Sequence, residues 1–349
     1  MPDTKGHESG HRPLGHTIDA FTWKEYTLAL VTELGGWTDL AEALQERAED
    51  EVPFETASVV KSLKRLAERE NLPGNKYGEL LIKVFGLPPS INEWGRLMGQ
   101  YHSRFADLPV GLRRQQLLRW DRPPVSESPA AMWVHVGLAS LAHRERDLGE
   151  AQRRLLLASE VPRPEPDSHI EYLLLGARIA SDLGEHDRER SLVDRAEVLL
   201  NEQGVSSHDR GCYLARIADQ RAYRISRDWR EDPGSLGRAL ELYSSIPVEG
   251  ASPFVTWRRE IGRAWCLWRQ GSTGESIAVA ERSCEHAGDG GFVRLRIMAL
   301  NLMANIIGPG REAARYQARA SEMARRLEDE DLLHRLERHR VPSRMDSTP

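Results

Sequence analysis

The feature that most constrains the fold is a helical-hairpin pattern that recurs after residue 130. Each copy opens with an aromatic residue, sets a small residue about one helical turn later and runs on into a second helix rich in small and acidic residues. Trp133 precedes Gly137, Tyr172 precedes Gly176, and Trp257 precedes Gly262. From Gly137 to Gly176, then to Ala218 and Gly262, the unit is roughly 40 residues, within the range of helical solenoids. A glycine at such points predicts that the two helices of a pair approach closely, because no side chain holds them apart. A repeated hairpin argues for a binding surface before it argues for an active site.

A chain of 349 residues, 40% hydrophobic and 29% charged, has room for a sizeable core and about two domains. The formal charge of −5 hides a division. Residues 1–100 hold 11 Lys+Arg against 16 Asp+Glu, leaving 37 of each for the remainder, so the repeat region is balanced and has no global attraction for nucleic acid. All six lysines (Lys5, Lys24, Lys61, Lys64, Lys76 and Lys83) precede residue 84, which supports a boundary near residues 86–95. Cys212, Cys266 and Cys284 are odd in number, widely spaced and set in apolar helical stretches, as expected of reduced thiols in a cytoplasmic protein. The first 18 residues lack the apolar centre of a secretory signal, and the longest apolar stretch, 297–307, is too short to span a bilayer.

The organisation read from these patterns is an all-α chain. Tails without structure are expected at 1–18 and 341–349, a small helical domain at 19–87, a helical linking segment at 88–129 and the repeats at 130–340. In the small domain a first helix at 22–34 stops at Gly35-Gly36. A second starts at Thr38 or Asp39 with Glu42 in a capping-box position, a third covers 56–70 and a fourth 77–85. Pro88-Pro89 breaks the chain because proline lacks an amide donor. Helices at 90–105 and 110–119 follow, and then about five hairpins, jointed at Pro162-Arg163-Pro164, Gly204, 247–253 and 288–291.

Here the residues resemble the tetratricopeptide-repeat family. Trp133, Val136 and Gly137 match the aromatic, aliphatic and glycine positions of its first helix, and Leu148, Ala151 and Ala158 match the apolar and alanine positions of its second. The resemblance covers 130–338, is best in the first copy, and extends to the stretches 172–184 and 257–271. It implies a right-handed α-solenoid that binds a peptide or protein in its concave groove. Arg216, Gln220 and Arg224 lie one turn apart, as do Arg259 and Arg263, and Arg296 continues the line; facing inward, they would present planar forks to carboxylates or phosphates of a partner. Solvated arginines paired with Asp219 or Glu260 are the alternative.

The small domain carries a helix-turn-helix-like pattern. On the third helix Val59, Val60, Leu63, Leu66 and Ala67 share one face, while Ser58, Lys61, Arg65 and Arg69 occupy the other, the arrangement a DNA recognition helix needs. Lys64, Lys76 and Lys83 would add phosphate contacts. Against this, the preceding connection is long and carries Glu49, Asp50, Glu51 and Glu55, which would face a polyanion.

No constellation points clearly to catalysis. His102 and Ser103 are adjacent and, on a helix, would diverge by about 100°. The cluster Tyr101, His102, Arg104 and Asp107 reads instead as hydrogen-bonding residues at a domain junction. His7, His11 and His16 lack a completing ligand, so neither a metal nor another cofactor is expected. The segment 271–276 lacks the lysine of a phosphate loop and reads as a turn. Non-catalytic recognition of a protein or peptide, with no membrane association, is therefore the first expectation. A DNA-binding regulator with a repeat-based sensor is the second, and an enzyme using the linking segment the third.

Overall fold

The computed structural model describes residues 21–48, 51–202, 204–205 and 207–338; the expected tails, with His7, His11 and His16, lie outside them. Among the described residues there are seventeen α-helices and no strand. The first six are α1 (Trp23–Leu34), α2 (Trp37–Ala48), α3 (Thr56–Ala67), α4 (Lys76–Phe85), α5 (Pro89–Gly99) and α6 (Val110–Trp120). Five adjacent pairs follow: α7 (Ala131–Arg144) with α8 (Leu148–Ser159), α9 (Pro166–Asp182) with α10 (His186–Glu202), α11 (Ser207–Ser226) with α12 (Gly234–Ser244), α13 (Pro253–Arg269) with α14 (Thr273–Asp289), and α15 (Val293–Ile307) with α16 (Arg311–Leu327). A final helix, α17 (Glu330–Arg338), was not separated from the last pair by its sequence pattern.

Local chemistry explains the boundaries. A reciprocal cap starts α1: Glu25 N–H donates to Thr22 Oγ1 at 3.2 Å, and Thr22 N–H donates to Glu25 Oε2 at 2.7 Å. Gly35, in the left-handed region at φ +108°, ends it. The capping box expected at Thr38 or Asp39 is absent, because α2 already begins at Trp37 and both residues lie within its first turn. Of the segment 271–276 read as a turn, only Gly271, at φ +88°, and Ser272 lie between the helices; Thr273 onward is already the first turn of α14.

Trp23 anchors the first helices. It is fully buried, donates from Nε1 to Leu72 O at 3.0 Å, and lies where a Cβ on Gly74 or Gly78 would come within 2.6 or 2.8 Å of its ring. The apolar cluster built around it does not stop at Pro88-Pro89. It runs from Trp23 and Tyr26 through Leu63, Leu81 and Met98 to Val134 and Leu141, so α1 to α7 share one core. Separate clusters fill the later pairs, with Cys212 and Cys266 buried among them. Burial pushes those thiols up to about 11 and 12, which removes thiolate reactivity at neutral pH.

Beyond pairing, the first helices pack in succession: α7 on α9, α9 on α11, α11 on α13 and α13 on α15, while α17 returns to α7. The glycines work across this stack rather than only within pairs. A Cβ on Gly137 would meet Leu117 of α6 at 2.9 Å, and one on Gly262 would fall into the ring of Tyr243 on α12, in the preceding pair. Only Gly176 looks toward its own partner, with Leu192 of α10 at 3.5 Å.

Candidate functional site

The stacked first helices line a half-open cavity of about 770 Å³. Its wall follows helical periodicity, since positions three and four apart share a face. Glu171, Leu174 and Arg178 come from α9, Arg216, Gln220 and Tyr223 from α11, and Arg258, Ile261 and Trp265 from α13; α15 adds Arg294, Ile297 and Asn301. Ser140 and Arg144 of α7 and Asp331, Leu332 and Arg335 of α17 complete it. The lining holds nine arginines and five carboxylates, in a chain whose formal charge is −5. The cavity thus inverts the charge balance of the chain, and low-dielectric walls concentrate such a field.

At its buried end stands Tyr101, carried by the segment after α5. Its hydroxyl accepts from Arg294 Nη1 at 3.4 Å and Arg258 Nη2 at 3.5 Å, and the Arg216 guanidinium lies 4.9 Å from its ring centroid. Burial by itself would raise the phenol, but the charges of Arg258 and Arg294, the hydrogen bond from Arg258 and the charge of Arg216 bring it down to about 8. Each of these arginines has a carboxylate partner: Arg216 with Glu171 at 2.6 Å, Arg258 with Asp219 at 2.9 Å, and Arg294 with Asp329 at 2.8 Å. Arg144 is held less closely, 3.8 Å from Asp329, and its Nη1 has no partner; neither does Arg258 Nε.

The linking segment fastens this end. His102 is buried, with Nε2 2.9 Å from Asp209 Oδ1, and Asp209 also receives Gln100 Nε2 at 3.0 Å and Arg96 Nη1 at 3.2 Å. Burial lowers His102 below the ordinary imidazole range despite the hydrogen bond with Asp209. Asp107 accepts from Arg294 N–H at 3.2 Å, and burial raises its carboxyl. Arg104 is exposed, close to Gly291. Ser103 uses its hydroxyl to accept from Phe105 N–H at 3.2 Å, as a cap on the short turn Arg104–Asp107. These four junction positions therefore sit between the early helices and α11, α13 and α15, with Tyr101 reaching the cavity itself.

Of the arginine line drawn from sequence, Arg216 and Gln220 line the cavity, and Gln220 Nε2 donates to Leu174 O at 2.9 Å. Arg224, Arg259, Arg263 and Arg296 do not. Arg224 lies eight residues beyond Arg216, about 80° out of register, and Tyr223 takes its place. On α13 and α15 the inward stripe starts at Arg258 and Arg294, about 100° from Arg259 and also from neighbours such as Leu295; Arg263 pairs with Glu260 at 3.1 Å. The missed residues carried a signal, the three-and-four spacing of Arg258, Ile261, Trp265 and Arg269, which competes with the equally regular Arg259 and Arg263.

On α3, Val59, Leu63 and Leu66 are buried, and Ser58, Lys61, Lys64 and Arg65 are exposed, as is Lys76 on α4. Lys64 Nζ lies 5.9 Å from the Trp37 ring centroid. Arg69 is turned to the chain, donating from Nε to Pro73 O at 2.8 Å. Lys83 pairs with Glu51 at 2.5 Å, while Glu55 stays exposed before α3. Among the described residues no group of His, Cys, Asp and Glu is placed to hold a metal, and no helix is long and apolar enough to cross a membrane. Comparison of the chain with family models, curated proteins and solved structures finds no match.

Proposed function

We propose that the protein is a non-catalytic recognition module that holds a protein or peptide segment in its interior cavity. In this reading the five pairs form a right-handed, tetratricopeptide-like solenoid and the early helices brace its first turn. The observation that carries it is the cavity wall: one face from each successive first helix, mixing arginine forks with Leu174, Ile261, Trp265 and Ile297. Apolar and aromatic surface supplies affinity, and guanidinium forks supply choice of partner. The test is capture by the full chain followed by mass spectrometry, beside Asn301→Trp, which obstructs the cavity, and Arg259→Ala with Arg296→Ala, which lie outside it. A partner held by the parent and the outer double variant but lost by Asn301→Trp supports the proposal; a partner kept by Asn301→Trp removes it.

A second reading, a DNA-binding regulator that senses its ligand through the cavity, is favoured by the exposed basic face of α3 opposite its buried Val59, Leu63 and Leu66. It predicts salt-dependent retardation of duplex DNA that Lys61→Ala with Arg65→Ala abolishes. Equal retardation of random DNA by parent and double variant would remove it.

A further inference from the structure

We infer that the cavity is also a site for a small organic oxyanion with a planar ring, a carboxylate or a phosphate monoester. This goes beyond peptide recognition, because it names a ligand that fits without any peptide. Three observations carry it. The volume, about 770 Å³, falls in the range of pockets that take small molecules. Arginines outnumber carboxylates nine to five on its wall, and an oxyanion is the acceptor that several guanidiniums can share.

The third observation is the alternation of cation and ring. Arg269 lies 3.8 Å from the Trp268 ring centroid and 5.7 Å from that of Trp265, and Arg178 lies 5.6 Å from that of Tyr223. Arg269 is also 5.3 Å from the Trp229 ring centroid; a guanidinium set among rings offers its N–H edge to an oxyanion, while Tyr223, Trp265 and Trp268 on the wall supply aromatic surface for a ligand ring. Tyr101 adds a hydroxyl whose oxygen already accepts from two guanidiniums, which leaves its hydrogen for a ligand oxygen.

The experiment titrates the full chain by calorimetry with benzoate, phenyl phosphate, benzamide and inorganic phosphate. Benzoate or phenyl phosphate should bind about tenfold or more tighter than benzamide, which has the ring without the charge, and than inorganic phosphate, which has the charge without the ring. The order of benzoate and phenyl phosphate identifies the oxyanion. Arg258→Gln would leave Asp219 without its ion-pair partner and could unfold the chain, so Arg269→Gln, at a half-buried position with no carboxylate partner, carries the test and should weaken the better probe about tenfold. Equal binding of benzoate and benzamide, no binding of either ring anion at millimolar concentration, or unchanged affinity in Arg269→Gln overturns the inference. A peptide captured through the cavity while no probe binds leaves the recognition reading standing and removes this one alone.

Discussion

His102 Nε2 lies 2.9 Å from Asp209 Oδ1 although 107 residues separate them, and this contact ties the segment after α5 to the start of α11. Asp209 takes hydrogen bonds from Gln100 and Arg96 as well, so one buried carboxylate gathers three donors from the linking segment. Removing it strands a buried imidazole and amide. Asp209→Ala should lower unfolding stability by about 3 kcal/mol, read by urea denaturation.

The same junction sets a pH dependence. Burial holds His102 below its ordinary value of 6.5, so as pH falls the unfolded chain takes up a proton that the native chain refuses, and stability declines from about pH 7 downward. Asp167 acts in the opposite sense. Burial, and then the charge of Asp209, push its carboxyl up to about 6, so the native chain gains a proton there while the unfolded one stays ionised toward 3.8, and stability rises as pH falls through that interval. Unfolding midpoints measured between about pH 4 and 8 should fall less steeply on acidification in His102→Gln and more steeply in Asp167→Asn. Identical slopes for parent and both variants would contradict the assignment.

Close approach separates the glycines. A Cβ on Gly99 would lie 2.6 Å from the carbonyl oxygen of Trp133, backbone that cannot rotate away, so Gly99→Ala should cost about 2–3 kcal/mol. Gly262→Ala, against the Tyr243 ring, should be comparably damaging. Gly176 has 3.5 Å to the nearest atom of Leu192, ordinary contact, and within a helix alanine is favoured over glycine by roughly 0.5–1 kcal/mol. Thermal unfolding should therefore place Gly176→Ala at or above the parent and the other two well below it.

Arg294 joins α15 to the turn before α17 through Asp329, which is fully buried. Arg294→Met would leave that carboxylate with Arg144, at 3.8 Å, as its cation and the Leu332 N–H, at 3.0 Å, as its remaining hydrogen-bond donor. A loss of about 3–5 kcal/mol is expected, with hydrogen exchange of α17 accelerated ahead of the rest. Protection of α17 equal to the parent's would show that the helix is held by its apolar face instead.

Tyr101 should titrate early. Ultraviolet difference titration should show a phenolate phase centred near 8 that Tyr101→Phe abolishes, while burial keeps Tyr26, Tyr213 and Tyr243 protonated to higher pH. Loss of the hydroxyl should also cost about 1–2 kcal/mol, because two buried guanidiniums lose an acceptor.

Much of the helical content was legible because it rests on local chemistry. The aromatic and glycine spacing at Trp133, Tyr172 and Trp257 marks the first helix of a pair, the stop at Gly35 and the prolines at the starts of α5, α9 and α13 mark helix ends, and the split of α3 into buried Val59, Leu63 and Leu66 and exposed Lys61 and Arg65 follows from a 3.6-residue period. Which side of α13 and α15 turns inward was not legible. Arg258 and Arg259 differ by about 100° of helix rotation, and both series of arginines are regular, so only packing against the neighbouring helices selects between them. Nor could a linear pattern show that Tyr101 and Arg294, 193 residues apart, share one buried end, or that α1 to α7 form one core. Helices and their amphipathic periods depend on neighbours a turn away and so are written in the chain; the cavity is not, since its wall is made by residues that meet only when every pair has settled against the next.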